Sequence, residues 1–178
     1  MKETSLRDTR NEEILIKPSG FELEIRDFIV VNVKGKKIHG RREPSSETPM
    51  HTTIYRKLPH VNSVVHSHSP VLTAMGIAGK TLDPIYVTGM RAVPKGIPIV
   101  PFHSPGSQRL ANAVAEALAP DRMAAVLKNH GSIVVGEDVK STAVLAVKLE
   151  AAARIQLLSS LFGRPSKISI GQVLGSAE

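Results

Sequence analysis

Cysteine and tryptophan are both missing from this 178-residue chain. The lack of cysteine excludes disulfides and thiolate metal sites, so any metal must be held by histidine, aspartate or glutamate. Aromatic residues make up only 3% of the sequence. Few platforms are therefore left for stacking bases, which weighs against nucleic acid as a partner. No apolar run approaches the ~18 residues that a membrane-spanning helix needs, and no membrane role is expected. The opening stretch MKETSLRDTRNEE is polar from its first residue and lacks the apolar centre of a signal peptide, which points to the cytoplasm.

The residues that are present suit a folded protein. Hydrophobic residues are 42% and charged residues 22% of the chain, and the length fits one domain over residues 1–178. Twenty-three basic residues against 16 acidic ones give a formal charge of +7. The basic residues are scattered and form no stripe, so the charge is expected to serve phosphorylated small molecules and solubility.

Periodicity and punctuation divide the chain. EEILIKPSG (12–20) reads as a strand stopped by Pro18 and Gly20, and DFIVVNVKGKKIHG (27–40) as two strands with a turn at Gly35. PSSETPMHTTIYRKLP (44–59) reads as a helix capped by Ser45 or Ser46, with Pro49 in its first turn and Pro59 as its stop. VNSVVHSH (61–68) is rich in β-formers, and a helix is expected from Ser69 to about Ala78. A short strand within 96–107 leads into a Pro/Gly loop, and 107–119 is helical by its four-residue leucine and valine steps. MAAVLKNHG (123–131) and SIVVG (132–136) read as two strands meeting at His130-Gly131, where the glycine lets the backbone turn sharply. The longest helix, 138–162, has apolar residues on nearly all sides, so it is expected to be buried or to form a subunit contact. Alternating strands and helices imply an α/β fold with a mixed sheet.

Three short motifs carry chemistry. In a strand, residues i and i+2 face the same way, so His66 and His68 of SVVHSHSP project from one face and are near enough to share an ion. The plainer reading is one packed and one exposed histidine. His130, in LKNHG, stands at a strand end where side chains converge; on its own it reads as a turn residue. Together the three make a nitrogen donor set, and catalytic zinc characteristically takes three protein ligands and keeps one open position. In EPSSETPMH, Ser45 and Ser46 stand at a helix start with Glu47 beside them. They can be read as a cap and a favourable first-turn charge. They can also be read as an anion pocket with a carboxylate next to it, placed to take a proton or to serve as a fourth ligand.

The run PSSETPMHTTIYRKLPHVNSVVHSHSP, with KPSG before it and LKNHG after it, resembles the class II aldolase/adducin family, and most of all its fuculose-phosphate aldolase members. The resemblance covers roughly residues 5–162 in order. It implies a three-layer α/β fold with a central mixed, largely antiparallel sheet flanked by helices. It also implies a zinc-dependent aldolase that cleaves a ketose 1-phosphate to dihydroxyacetone phosphate and an aldehyde such as lactaldehyde. By the same resemblance His66, His68 and His130 hold the zinc, in a His₃-type site that cobalt or manganese can also occupy. Glu47 removes a proton from dihydroxyacetone phosphate, and Ser19, Gly20, Ser45 and Ser46 bind the phosphate. Tyr86, given to the site by a neighbouring subunit of a homotetramer, protonates the aldehyde oxygen.

The sequence departs from the family pattern in places. The family's leading helix has no counterpart, and MKET stands where members carry a Gly-Asn strand that touches phosphate. Either the start is truncated or one phosphate contact is missing. No tyrosine follows Tyr86, so the second, C-terminal tyrosine of fuculose-phosphate aldolases is lacking. Tyr55 and His51 sit four residues apart on a helix and read as structural, as do His39, His60 and His103. Three relatives of the same fold remain as alternatives: a methylthioribulose-1-phosphate dehydratase, a ribulose-phosphate 4-epimerase, and a non-enzymatic adducin-like interaction domain. The acidic residue of the epimerase type is missing from IYVTGMRAV, and three histidines with Glu47 argue against an interaction domain.

Overall fold

The computed structural model describes residues 3–18, 24–83, 87–93, 96–119 and 121–174. Eight strands form one sheet: β1 (Glu3–Asp8), β2 (Glu13–Ile16), β3 (Ile29–Asn32), β4 (Lys37–His39), β5 (Ser63–Ser67), β6 (Ile99–Val100), β7 (Ala124–Leu127) and β8 (Gly131–Gly136). Their order across the sheet is β4-β3-β2-β1-β5-β8-β7-β6. Every neighbouring pair is antiparallel except β6–β7. The helices are α1 (Thr48–Lys57), α2 (Pro70–Ile77), α3 (Val87–Ala92), α4 (Gln108–Leu118), α5 (Val139–Phe162) and α6 (Ile170–Leu174). This is the mixed, largely antiparallel sheet flanked by helices that the resemblance implies.

The strand period of two sorts the core into two layers. On β7, Ala125 and Leu127 face one side while Ala124 and Val126 face the other. On β8, Ile133 and Val135 join the first side and Val134 the second. The first layer is closed by Met50, Ile54 and Tyr55 of α1 and by Leu110, Val114 and Leu118 of α4. The second is closed by Leu72 of α2 with Leu145, Leu149 and Ala153 of α5. Both faces of the central strands are thus dry, which is why they read as unbroken apolar runs.

β1 has no counterpart in the sequence reading. Its inward residues are Glu3 and Ser5, both buried, and its outward Leu6 is 37% exposed, so the usual alternation is inverted. Burial of Ser5 is offset by hydrogen bonds from α1: its hydroxyl lies 2.7 Å from both His51 Nδ1 and the Tyr55 hydroxyl, while Glu3 Oε2 approaches His51 Nε2 at 3.9 Å. Two residues along β1, the Arg7 guanidinium donates to the main-chain oxygens of Tyr55 and Val61 at 3.0 and 2.7 Å and also to that of Pro59. It thereby satisfies carbonyls at and beyond the end of α1. His51 and Tyr55 are structural, as expected.

Two turns differ from their sequence reading. α1 is not capped by a serine side chain: Glu47 is its N-cap residue, and Ser45 Oγ accepts the Glu47 N–H at 3.0 Å. Ser45 therefore shapes the chain before the helix. At the β7–β8 hairpin the left-handed residue is Asn129, at φ 58, and not Gly131. Asparagine tolerates that conformation, and Gly131 has another task described below. α5 is only partly buried. Leu149 and Ala153 are enclosed, whereas Val147, Leu161 and Phe162 are 69, 74 and 92% exposed.

Candidate metal centre and active site

Three elements converge at one edge of the central strands. β5 and β8 run antiparallel with His66 opposite Ile133 and Ser67 opposite Ser132. That register puts the end of β5 beside the start of β8, and the tight turn before β8 carries His130. His68 lies just past the end of β5, yet still on the side of His66. The three ring centroids are 4.9 to 5.2 Å apart. One nitrogen from each ring lies within 4.8 Å of the others.

Gly131 makes room for this convergence. A Cβ on it would stand 2.5 Å from the Ser67 carbonyl oxygen, 2.9 Å from the His68 ring and 3.3 Å from the His66 ring. The chain therefore passes the histidines at a distance that only glycine allows.

His66 is fully buried, and its Nδ1 lies 3.0 Å from the carbonyl oxygen of Ser132. A carbonyl only accepts, so Nδ1 carries the proton and Nε2 presents a lone pair. That Nε2 is buried with no hydrogen-bond partner. Burial, reinforced by His130 and His51 nearby, holds the imidazole well below its usual pKa of 6.5, so it is neutral at pH 7. A neutral imidazole with an unsatisfied inward lone pair, beside two further imidazoles, is a fitting donor set for a divalent metal. The exposed His68 leaves the cluster open to solvent on one side.

Glu47 comes to the same place. Its carboxylate is buried, and Oε1 lies 3.8 Å from His130 Nε2. The hydrogen bond from its N–H to Ser45 and the start of α1 fix its backbone, so the side chain is aimed at the histidines by the local fold. Ser45 and Ser46 line a cavity of about 370 Å³ together with Lys34, Arg56 and Gln108. The two cations were not visible as site residues in the sequence, because they reach the serines only through the β3–β4 turn and the next turns of α1. Ser46 is exposed, while the buried Ser45 hydroxyl is already engaged. Ser19, Gly20 and Tyr86 lie outside the described residues.

The match to known proteins is decisive for the family. The model for the class II aldolase and adducin N-terminal domain matches residues 3–157. The chain belongs to this family. It is 33% identical over 155 residues to a 5-deoxy-D-ribulose 1-phosphate aldolase of Bacillus thuringiensis, covering 85% of this chain and 72% of that one. It is 32% identical to an L-fuculose phosphate aldolase of Methanococcus vannielii, covering 85% and 82%. A 3-oxo-tetronate 4-phosphate decarboxylase of Pectobacterium atrosepticum is 33% identical, covering 80% and 67%. The solved structure of an L-fuculose 1-phosphate aldolase superposes with a TM-score of 0.89 at 24% identity, covering 98% of this chain and 83% of that one, and so shares the fold. Relatives named as aldolases agree with the expected metal-dependent aldolase, a carbon–carbon lyase.

Among the described residues, no helix of this class II aldolase domain is long and apolar enough to cross a membrane. The buried histidines also make its stability depend on pH. Burial lowers the pKa of His51 from 6.5 to about 4. In the unfolded chain His51 therefore takes up a proton below about pH 6.5, and in the fold only near pH 4. The unfolded state gains protons over that window, so the folded state loses stability as pH falls from about 6.5 to about 4. Urea titrations at pH 7 and pH 4.5 are expected to show this loss, and His51→Gln should reduce it. Equal slopes in the two proteins would remove His51 from the acid sensitivity.

Proposed function

We propose that this protein is a zinc-dependent aldolase. It reversibly cleaves a ketose 1-phosphate of the fuculose 1-phosphate type to dihydroxyacetone phosphate and an aldehyde such as lactaldehyde. The observation that carries the proposal is the buried Glu47 carboxylate 3.8 Å from His130 Nε2, at an open cluster of three imidazoles. His66, His68 and His130 are the metal ligands. A divalent metal held there supplies Lewis-acid stabilisation of the negative charge that builds up as the bond breaks.

The chain's own groups do the rest. Ser45 and Ser46, with Ser19 and Gly20, bind the phosphate, and the Lys34 and Arg56 charges favour an anion there. Anchoring that remote end fixes carbons 3 and 4 of the ketose against the site. Tyr86 of a neighbouring subunit takes the proton of the carbon 4 hydroxyl as the carbon 3–carbon 4 bond breaks. The bonding pair stays with carbon 3, and Glu47, protonated at this stage, delivers its proton there and becomes the carboxylate, giving the hydroxymethyl carbon of dihydroxyacetone phosphate. Exchange with solvent then returns to Glu47 the proton that Tyr86 gained. In the reverse direction Glu47 takes that proton back and Tyr86 protonates the aldehyde oxygen.

Zinc-loaded protein assayed against several ketose 1-phosphates tests the proposal. Dihydroxyacetone phosphate and an aldehyde should appear in equal amounts. Release of carbon dioxide from 3-oxo-tetronate 4-phosphate without cleavage of any ketose phosphate would favour the chemistry named for the Pectobacterium relative instead. Replacement of Ser46, whose side chain is exposed at the cavity, by alanine should raise KM for the phosphorylated substrate several-fold with a smaller change in kcat. An unchanged KM would take Ser46 out of the phosphate site.

A tyrosine shared between subunits requires an assembly. The exposed Val147, Leu161 and Phe162 of α5 support one, because a helix that is apolar on its outer side is seldom left to water. We place the enzyme in the cytoplasm as a homotetramer, so light scattering should give about four times the 19.2 kDa chain mass. A fully active monomer would rule out the shared tyrosine.

A further inference from the structure

His68 is the exposed member of the histidine trio, and its ring stands edge-on to those of His66 and His130 at 5.1 and 5.2 Å. It also lies beyond the last ladder residue of β5, which ends at Ser67. The placement of its backbone therefore depends on how the main chain is held on either side. Upstream and alongside, the hydroxyls of Ser67 and Ser69 lie 3.0 and 3.2 Å from that of Ser132 on β8. Downstream, α2 begins at Pro70, which has no N–H to offer. The next two N–H groups, of Val71 and Leu72, each donate at 3.0 Å to a different oxygen of the Glu150 carboxylate.

Glu150 comes from the middle of α5, adjacent to the fully buried Leu149. Its two oxygens satisfy two of the donors that every helix leaves unpaired at its start, and its charge faces the positive end of the α2 dipole. The contact spans 79 residues of sequence and ties α5 to the first turn of the helix that follows His68. We propose that Glu150 is a positioning residue for the metal centre. By clamping the first turn of α2 from both oxygens, it fixes the direction of the chain leaving His68 and so presents that imidazole to the ion. This inference rests on the reading of His66, His68 and His130 as metal ligands.

The role needs both oxygens. Glu150→Gln keeps the shape but replaces one of the two accepting oxygens by an NH₂ donor, which would face the N–H that oxygen held. Glu150→Asp keeps the charge but is one methylene too short to reach both. Gln156→Ala is the control, since Gln156 also ties α5 to the α2 side, accepting the Asp83 N–H at 2.7 Å and donating to the Thr81 oxygen at 3.1 Å. The experiment measures zinc affinity of the full chain against a chelating dye, and the visible absorption of the cobalt(II) form, which reports ligand geometry. Loss of a group that orients a ligand weakens metal binding by about 10–100-fold. That fall, with weakened cobalt bands, is expected for Glu150→Gln and Glu150→Asp, while Gln156→Ala should match wild type. Should Glu150→Gln not fold, Glu150→Asp carries the same comparison. Wild-type affinity and spectrum in the Glu150 variants would overturn the proposal, as would an equal fall in Gln156→Ala, which would mean general loosening of α5. A wild-type protein that takes up neither zinc nor cobalt would instead overturn the metal reading itself.

Discussion

Glu47→Gln is expected to fold and to bind zinc while losing aldol cleavage by about 10²–10⁴-fold, the usual worth of a positioned acid–base group. The backbone that aims this side chain is held by its own N–H to Ser45 and by the start of α1, neither of which the amide alters. If Glu47 serves only as the residue before a helix, the substitution should cost roughly 0.3–1 kcal/mol of stability and little activity. The two roles separate in a half-reaction that needs no aldehyde: exchange of the hydroxymethyl protons of dihydroxyacetone phosphate with deuterated water. Proton removal from that carbon is the step assigned to Glu47. Exchange should therefore fall with cleavage in Glu47→Gln, and near-equal exchange in wild type and variant would falsify the assignment.

The parts of this site that could be read from sequence are those whose meaning lies in local spacing. His66 and His68 announce themselves because two residues along a strand is one repeat of its side-chain direction. Ser45, Ser46 and Glu47 do so because a helix start has recognisable chemistry. What local spacing does not carry is partnership across the fold. β1 is hidden because its inward residues, Glu3 and Ser5, are polar and become comprehensible only beside His51 and Tyr55 of α1. Lys34 and Arg56 join the serines through a hairpin and a helix, and Glu150 reaches α2 over 79 residues. Gly131 shows the same limit in another way. A glycine after a turn histidine invites a conformational reading, but the left-handed turn residue is Asn129, and Gly131 is small because something else needs its space.

That space makes Gly131→Ala the second substitution with a large expected effect. The added methyl would meet the Ser67 carbonyl oxygen at 2.5 Å and the His68 ring at 2.9 Å. Ser67 is part of the ladder with β8, so its carbonyl cannot retreat without opening the end of the β5–β8 pairing. His68 is exposed and can swing away, but only by leaving the cluster. The His66 ring, 3.3 Å from the new atom, is buried and hydrogen-bonded to Ser132, so it has the least freedom to yield. Each route of relief thus spends its strain on the donor set. Overpacking of this kind costs about 1–3 kcal/mol of stability, which a folded domain can survive. Zinc affinity should nevertheless fall by at least the roughly 10–100-fold seen when a ligand is misoriented, and cleavage should fall with it. Chelator competition measures the first, and circular dichroism confirms that the sheet is kept. An alanine variant that is less stable yet binds zinc as tightly as wild type would show that the histidines do not need the gap Gly131 leaves for them.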